Sequence, residues 1–248
     1  MSAVAHPAVS STAAGKFKST FTDPSVVTVT FDLFGTLVAA ERPRDPAAAV
    51  AAELRDRGVT VPGDWETVYA EPHLDAPDGT EVSLPDHVAA ALRARDVDVT
   101  ATVARRAVAA AFDPDVRTLP GAVDAVDAAG ARGPVGLLSN CSVPELVPRA
   151  LRRAALDPAA FDAVVTSVGC GWRKPHRKAF EAVAAELGVD AATLVHIGDD
   201  PATDGGVEAV GGAFRDVTET SLGALAAEFR GGGSPRSRDP VGGESGCR

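Results

Sequence analysis

The stretch Val26-Val27-Thr28-Val29-Thr30-Phe31-Asp32-Leu33-Phe34-Gly35-Thr36-Leu37 decides the fold. Its first six residues are β-branched or aromatic, a run suited to a strand buried on both faces of a parallel sheet. The run ends on Asp32, and a carboxylate just past a buried strand is costly unless it is paired or metal-bound. Gly35-Thr36 then supplies a tight turn with free amides and a hydroxyl, suited to a phosphate oxygen. Taken alone, the segment fits equally well a strand-terminal Asp that caps the next turn.

Three more short apolar runs follow the same plan. Pro134-Val135-Gly136-Leu137-Leu138 leads into Ser139-Asn140, Phe161–Val165 into Thr166-Ser167, and Leu194–Ile197 into Gly198-Asp199. Helical patterns separate them over Glu145–Leu156 and Lys178–Leu187, the second ending on Gly188 as a C-cap. Strands alternating with helices predict an α/β fold with a Rossmann-like, doubly wound parallel sheet. Ligands of such sheets lie beyond the C-terminal strand ends.

The alternation breaks from Ala39 to Leu119. Amphipathic patterns run there over Pro46–Arg57, Asp64–Glu71, Asp86–Arg95 and Ala101–Phe112. They predict an inserted helical cap that covers the site and excludes water. The expected division is a core of residues 25–38 and 120–230 and a cap of residues 39–119. Residues 1–24 are expected to form a disordered arm and residues 231–248 a disordered Gly/Ser/Pro/Arg-rich tail.

Composition narrows the partners. The 248 residues carry a formal charge of −10, with only four lysines. An acidic, Lys-poor surface suits high salt, so a halophilic setting is expected. The same balance argues against nucleic acid or an anionic membrane as the main partner. Cys141, Cys170 and Cys247 make neither a disulfide framework nor a CxxC pair and read as reduced thiols. With no apolar run of membrane length and no signal pattern, a soluble cytoplasmic protein is expected.

The other strand ends carry the remaining chemistry. Ser139 and Asn140 can hydrogen-bond an anion, or simply N-cap the helix that follows. In Trp172-Arg173-Lys174-Pro175, Lys174 can act as a compact point charge toward both a nucleophile and a transferring group. Arg173 and Arg177 read as surface groups or as contacts to acidic side chains. In Ile197-Gly198-Asp199-Asp200-Pro201-Ala202-Thr203-Asp204, Asp199 and Asp204 lie five apart. With Asp32 they can offer hard oxygen ligands to Mg²⁺, although isolated acidic loops are usually just solvated. His196, inside a strand, reads as core.

The order of these motifs, Asp then Ser then Lys then paired Asp, resembles the haloacid dehalogenase superfamily of hydrolases over about residues 26–217. The resemblance implies a Rossmann-like core with a helical cap of the small (C1-type) class inserted after the first motif. It implies Asp32 as a nucleophile that forms an aspartyl intermediate, with Lys174 as its catalytic partner. Ser139 and Lys174 would hold the transferring group, with Thr36 and Asn140 as further substrate contacts. Mg²⁺ would be bound by Asp32, the backbone carbonyl of Phe34, Asp199 and Asp204. A small phosphate ester is the substrate so implied.

One position departs from that pattern. Phosphatases of the family carry a second Asp two residues after the nucleophile, as a general acid and base. Here that position is Phe34, which moves no proton, and general acid–base catalysis is typically worth about 10²–10⁴ in rate. The family's dehalogenases carry an aromatic residue there and a similar Ser-Asn pair, but need no metal and lack a full Gly-Asp…Asp loop. Three carboxylates gathered without a cation would repel one another. The expectation is therefore a Mg²⁺-dependent phosphatase. The alternatives are a metal-independent 2-haloacid dehalogenase and a weakly active or non-catalytic binding descendant. Replacement acids within reach of a folded chain are His73, Asp75, Asp86, His87 and Asp200. Each His reads as a surface or partly packed residue, and none of the five joins the catalytic set.

Overall fold

The computed structural model describes residues 27–231, so the expected arm, most of the expected tail and Cys247 lie outside the described residues. In chain order the elements are β1 (Thr28–Phe31), β2 (Val38–Ala40), α1 (Pro46–Asp56), α2 (Trp65–Ala70), α3 (Leu84–Arg93), α4 (Ala101–Ala111), β3 (Val116–Thr118), α5 (Ala122–Gly130), β4 (Val135–Ser139), α6 (Leu146–Arg153), β5 (Ala163–Thr166), α7 (Ser167–Cys170), α8 (Arg177–Leu187), β6 (Leu194–Gly198), β7 (Ala213–Asp216) and α9 (Leu222–Gly231).

Five strands form one parallel sheet in the order β5-β4-β1-β6-β7. This is the expected α/β, Rossmann-like sheet, with β1 at its centre. Alternation along the strands splits the core in two. Val29, Phe31, Leu137 and Ile197 pack in a cluster with α5, α9 and the helices of the insertion. Leu138, Val165 and Leu194 pack with Phe180 and Val183 of α8 on the other face. Each such fully buried side chain contributes about 1.5–3 kcal/mol relative to leaving it exposed.

The four apolar runs read from the sequence all appear as strands. The fifth, β7, carries no such signal, because Ala-Phe-Arg-Asp is a half-exposed edge strand without an apolar run. The insertion holds four helices, α1 to α4, near the expected positions. Asp45 caps α1 by accepting from Ala48 N at 2.8 Å, with Pro46 in the first turn. Ser83 caps α3, so that helix opens at Leu84 rather than at Asp86. The two chains linking the insertion to the sheet pair as an antiparallel ribbon, Val38 opposite Thr118 and Ala40 opposite Val116. Among the described residues, no helix is long and apolar enough to cross a membrane.

Candidate active site

Parallel strands deliver their C-terminal ends to one edge of the sheet. Asp32 follows β1, Ser139 ends β4, and the loop Asp199–Asp204 follows β6. Lys174 sits between α7 and α8, and its backbone is held on both sides by the Asn140 amide. Lys174 N donates to Asn140 Oδ1 at 2.8 Å, and Asn140 Nδ2 donates to the Lys174 carbonyl at 2.9 Å.

The Lys174 ammonium is buried and donates to Asp32 Oδ1 at 2.7 Å and to Asp204 Oδ1 at 2.6 Å. An ammonium has three N–H groups, so one remains. Asp204 Oδ1 also accepts from His196 Nε2 at 3.1 Å, and its Oδ2 accepts from Asp200 N at 3.1 Å. His196 is fully buried, and its Nδ1 lies 2.9 Å from Thr30 Oγ1. A chain of hydrogen bonds thus runs from Thr30 on β1 through His196, Asp204 and Lys174 back to Asp32.

The charges are uneven. Burial pushes the Asp32 carboxyl up to about 6, and the nearby Asp204 and Asp199 charges add to this while Lys174 opposes it. Burial also works against ionisation of Asp204, but His196 and Lys174 outweigh it and hold that carboxyl well below the usual range. Burial pushes His196 down to about 4, aided by Lys174 and opposed by Asp204, so the ring is neutral at pH 7.

A cavity of about 220 Å³ collects these groups, lined by Asp32, Phe34, Arg42, Ser139, Asn140, Lys174, Asp199, Asp200, Thr203 and Asp204. The Ser139 hydroxyl is buried there without a hydrogen-bond partner among the described residues. Thr36 is buried outside this lining, and its hydroxyl donates to Asp199 Oδ1 at 2.8 Å.

The residues fit a divalent ion that keeps much of its water. Asp32 and Asp199 each have one oxygen that takes no bond from the described residues, and Phe34 lines the same cavity. Gly35, at φ +96°, lies so close to Asp199 that a Cβ would overlap its carboxylate. Among the described residues no group of three or more His, Cys, Asp or Glu side chains is placed to hold a metal ion by itself. Mg²⁺ typically takes one or two carboxylates plus waters and substrate oxygens, which matches this sparse set. Asp204 lines the same cavity, and both of its oxygens accept from protein donors.

The helical insertion docks against this edge. Arg173 N donates to Gly79 O at 2.9 Å, Glu81 N to Gly171 O at 3.0 Å and Leu84 N to Ser142 O at 2.8 Å. Ser167 Oγ donates to Glu81 Oε2 at 2.6 Å. A second cavity of about 250 Å³ opens between insertion and sheet and shares Phe34, Arg42 and Asn140 with the first. Arg173 and Glu81 also line it, beside Phe112, Val143 and Leu146. Neither arginine pairs with a carboxylate among the described residues.

Of the replacement acids, only Asp200 lines the Asp32 cavity, and its oxygens are engaged by Ala202 N and the Thr203 hydroxyl. His73 and His87 lie against backbone carbonyls of Val68 and Tyr69 inside the insertion. Asp75 and Asp86 are exposed. His196 is core, as its place inside a strand suggests, but its bonds to Asp204 and Thr30 and the place of Arg42 in the cavity lining are not legible along the chain. A polar side chain within a buried strand signals only that it needs a partner.

Known proteins bear on this geometry. The model of the haloacid dehalogenase-like hydrolase family matches residues 26–207. A comparison with curated protein sequences gives no match. Among solved structures, a HAD phosphatase from Thermococcus onnurineus is similar with a TM-score of 0.50 and 18% identity, over 79% of this chain and 88% of that one. CbbY from Rhodobacter sphaeroides in complex with phosphate is similar with a TM-score of 0.51 and 18% identity, over 76% and 84%. The L-2-haloacid dehalogenase from Xanthobacter autotrophicus has a TM-score of 0.49 and 22% identity, over 84% and 83%. At these identities the first two likenesses speak to the fold alone, and the third carries no argument. The family match spans most of the chain, and the chain belongs to the haloacid dehalogenase-like hydrolases.

Proposed function

We propose that this hydrolase is a Mg²⁺-dependent phosphatase that cleaves a small phosphate ester through an aspartyl-phosphate at Asp32. The observation that carries the reading is Lys174, bonded to Asp32 and Asp204, beside the unpartnered hydroxyl of Ser139. The remaining Lys174 N–H and the Ser139 hydroxyl are two donors for phosphoryl oxygens. A buried donor without a partner costs about 1–3 kcal/mol, which a bound oxyanion would relieve.

In this reading an Asp32 oxygen attacks phosphorus in line, and the bond from phosphorus to the leaving oxygen breaks. Water then attacks phosphorus, the phosphorus bond to Asp32 breaks, and inorganic phosphate departs. Phe34 donates no proton to the leaving oxygen, so phenol or carboxylic acid leaving groups, which depart as anions, suit the site. Asp32, Asp199 and the Phe34 carbonyl would hold Mg²⁺, which supplies charge that offsets the phosphoryl oxygens and the surplus of carboxylates over Lys174. Asp204 serves Lys174, Thr36 orients Asp199, and Asn140 fixes the Lys174 backbone. Residues 39–119 act as a cap of the small helical class on a core of residues 25–38 and 120–230.

The test is hydrolysis of an aryl phosphate at molar salt, chosen for the acidic, Lys-poor composition, with Mg²⁺ and with a chelator. Turnover that needs Mg²⁺ and vanishes in Asp32→Asn is expected. Undiminished turnover in Asp32→Asn overturns the reading. Halide release from 2-haloacids with chelator present would replace it with dehalogenation.

A further inference from the structure

The buried imidazole of His196 plays no part in the steps above, yet it touches the group that holds Lys174. Its ring is fixed by chemistry from both sides. Asp204 accepts from the Lys174 ammonium and from Asp200 N, and a carboxylate only accepts, so the 3.1 Å contact requires the proton on Nε2. The neutral ring then has a bare Nδ1, and the 2.9 Å contact to Thr30 requires the Thr30 hydroxyl to donate. Thr30, His196, Asp204 and Lys174 are each no more than 2% exposed, so water does not compete for these bonds. Phe180 closes the ring edge-to-face at a centroid distance of 5.3 Å.

Asp204 is pinned by this arrangement. Its Oδ2 is held by Asp200 N, and the backbone at Gly198 lies so close that a Cβ there would overlap the carboxylate. The His196 proton sets the remaining direction, that of Oδ1, and Oδ1 receives the Lys174 ammonium.

We infer that His196, locked in its Nε2–H form by Thr30, is a positioning residue that aims Lys174 through Asp204. The third N–H of Lys174 then points where the phosphoryl oxygens gather. The kinetic part of this inference rests on the phosphatase reading, whereas the tautomer part does not. Removing a partner that orients a reacting group typically costs about 10–100-fold in activity.

Three variants test it. Thr30→Val keeps the shape and removes the donor, Thr30→Ser restores the donor, and His196→Phe removes the ring nitrogens. In wild type, two-bond ¹H–¹⁵N spectra of the imidazole should show a single Nε2-protonated ring, and Thr30→Val should disturb that pattern. Thr30→Val should lower kcat on an aryl phosphate about tenfold with KM within twofold, and Thr30→Ser should recover most of it. His196→Phe should fall further. A ring protonated on Nδ1 in wild type overturns the inference. So does a folded Thr30→Val with unchanged kcat, or an equal loss in Thr30→Val and Thr30→Ser. If wild type turns over no phosphate ester, the phosphatase reading fails instead, and the spectra still decide the tautomer.

Discussion

His196 Nε2 lies 3.1 Å from Asp204 Oδ1, the same oxygen that accepts from Lys174 Nζ at 2.6 Å. One carboxylate oxygen therefore joins a neutral ring on β6 to the cation beside Asp32. The two bonds make Asp204 a brace rather than a free acid, and they leave Asp32 as the carboxylate whose protonation changes near neutral pH.

Asp32 binds its proton more tightly folded, at about 6, than at its ordinary value of 3.8. Its contribution to stability is therefore present below pH 3.8 and is lost as pH rises through about 6. The shift corresponds to about 3 kcal/mol. In metal-free protein, Asp32→Asn should gain about that much relative to wild type between pH 4 and pH 7. Urea unfolding with chelator present measures it, and a pH-independent difference would contradict it.

Lys174→Met should be inactive and less stable by about 3–5 kcal/mol at pH 8, because it strands two buried carboxylates. The loss should shrink at pH 5, where Asp32 takes up a proton. Equal losses at both pH values would show that Asp32 does not titrate in the folded state.

Phe34→Asp should restore a proton donor beside the leaving oxygen. Its rate on an alkyl phosphate should rise by up to about 10²-fold, the lower end of general-acid effects. Its rate on an aryl phosphate should change little, since that oxygen leaves as an anion. A kinetic comparison of the two substrates decides the point.

Gly35→Ala forces a Cβ onto the Asp199 carboxylate at a φ of +96°. The Mg²⁺ concentration for half-maximal turnover should rise by at least about tenfold, the scale of disturbing a group that orients a metal ligand. Gly58→Ala, also at positive φ but with open space around it, separates backbone strain from this overlap.

Arg42 lines both cavities without a carboxylate partner among the described residues. Arg42→Ala should raise KM about tenfold for esters whose leaving group bears a second anion, the scale of a hydrogen bond to a charged group. KM for an uncharged aryl ester should stay within about threefold of wild type.

Much of this architecture was legible along the chain. Short apolar runs ending on polar residues announced four of the five parallel strands, because a strand buried on both faces leaves no room for alternation. Amphipathic patterns marked the helices of the insertion for an equally local reason, and in the structure Asp45 and Thr100 cap two of them. Edge strand β7 escaped, since its half-exposed residues follow no buried pattern.

The sequence by itself thus determined four of the five parallel strands, the insertion and the segments that carry Asp32, Ser139, Lys174, Asp199 and Asp204. Tertiary structure alone decided their partners. Thr36 reaches Asp199 across 163 residues, and Thr30 reaches His196 across 166. Periodicity and capping act over a few residues and report burial and backbone shape. A hydrogen bond across the sheet depends on strand register, β1 against β6 with Thr30 opposite His196, and no local pattern encodes which polar group stands opposite.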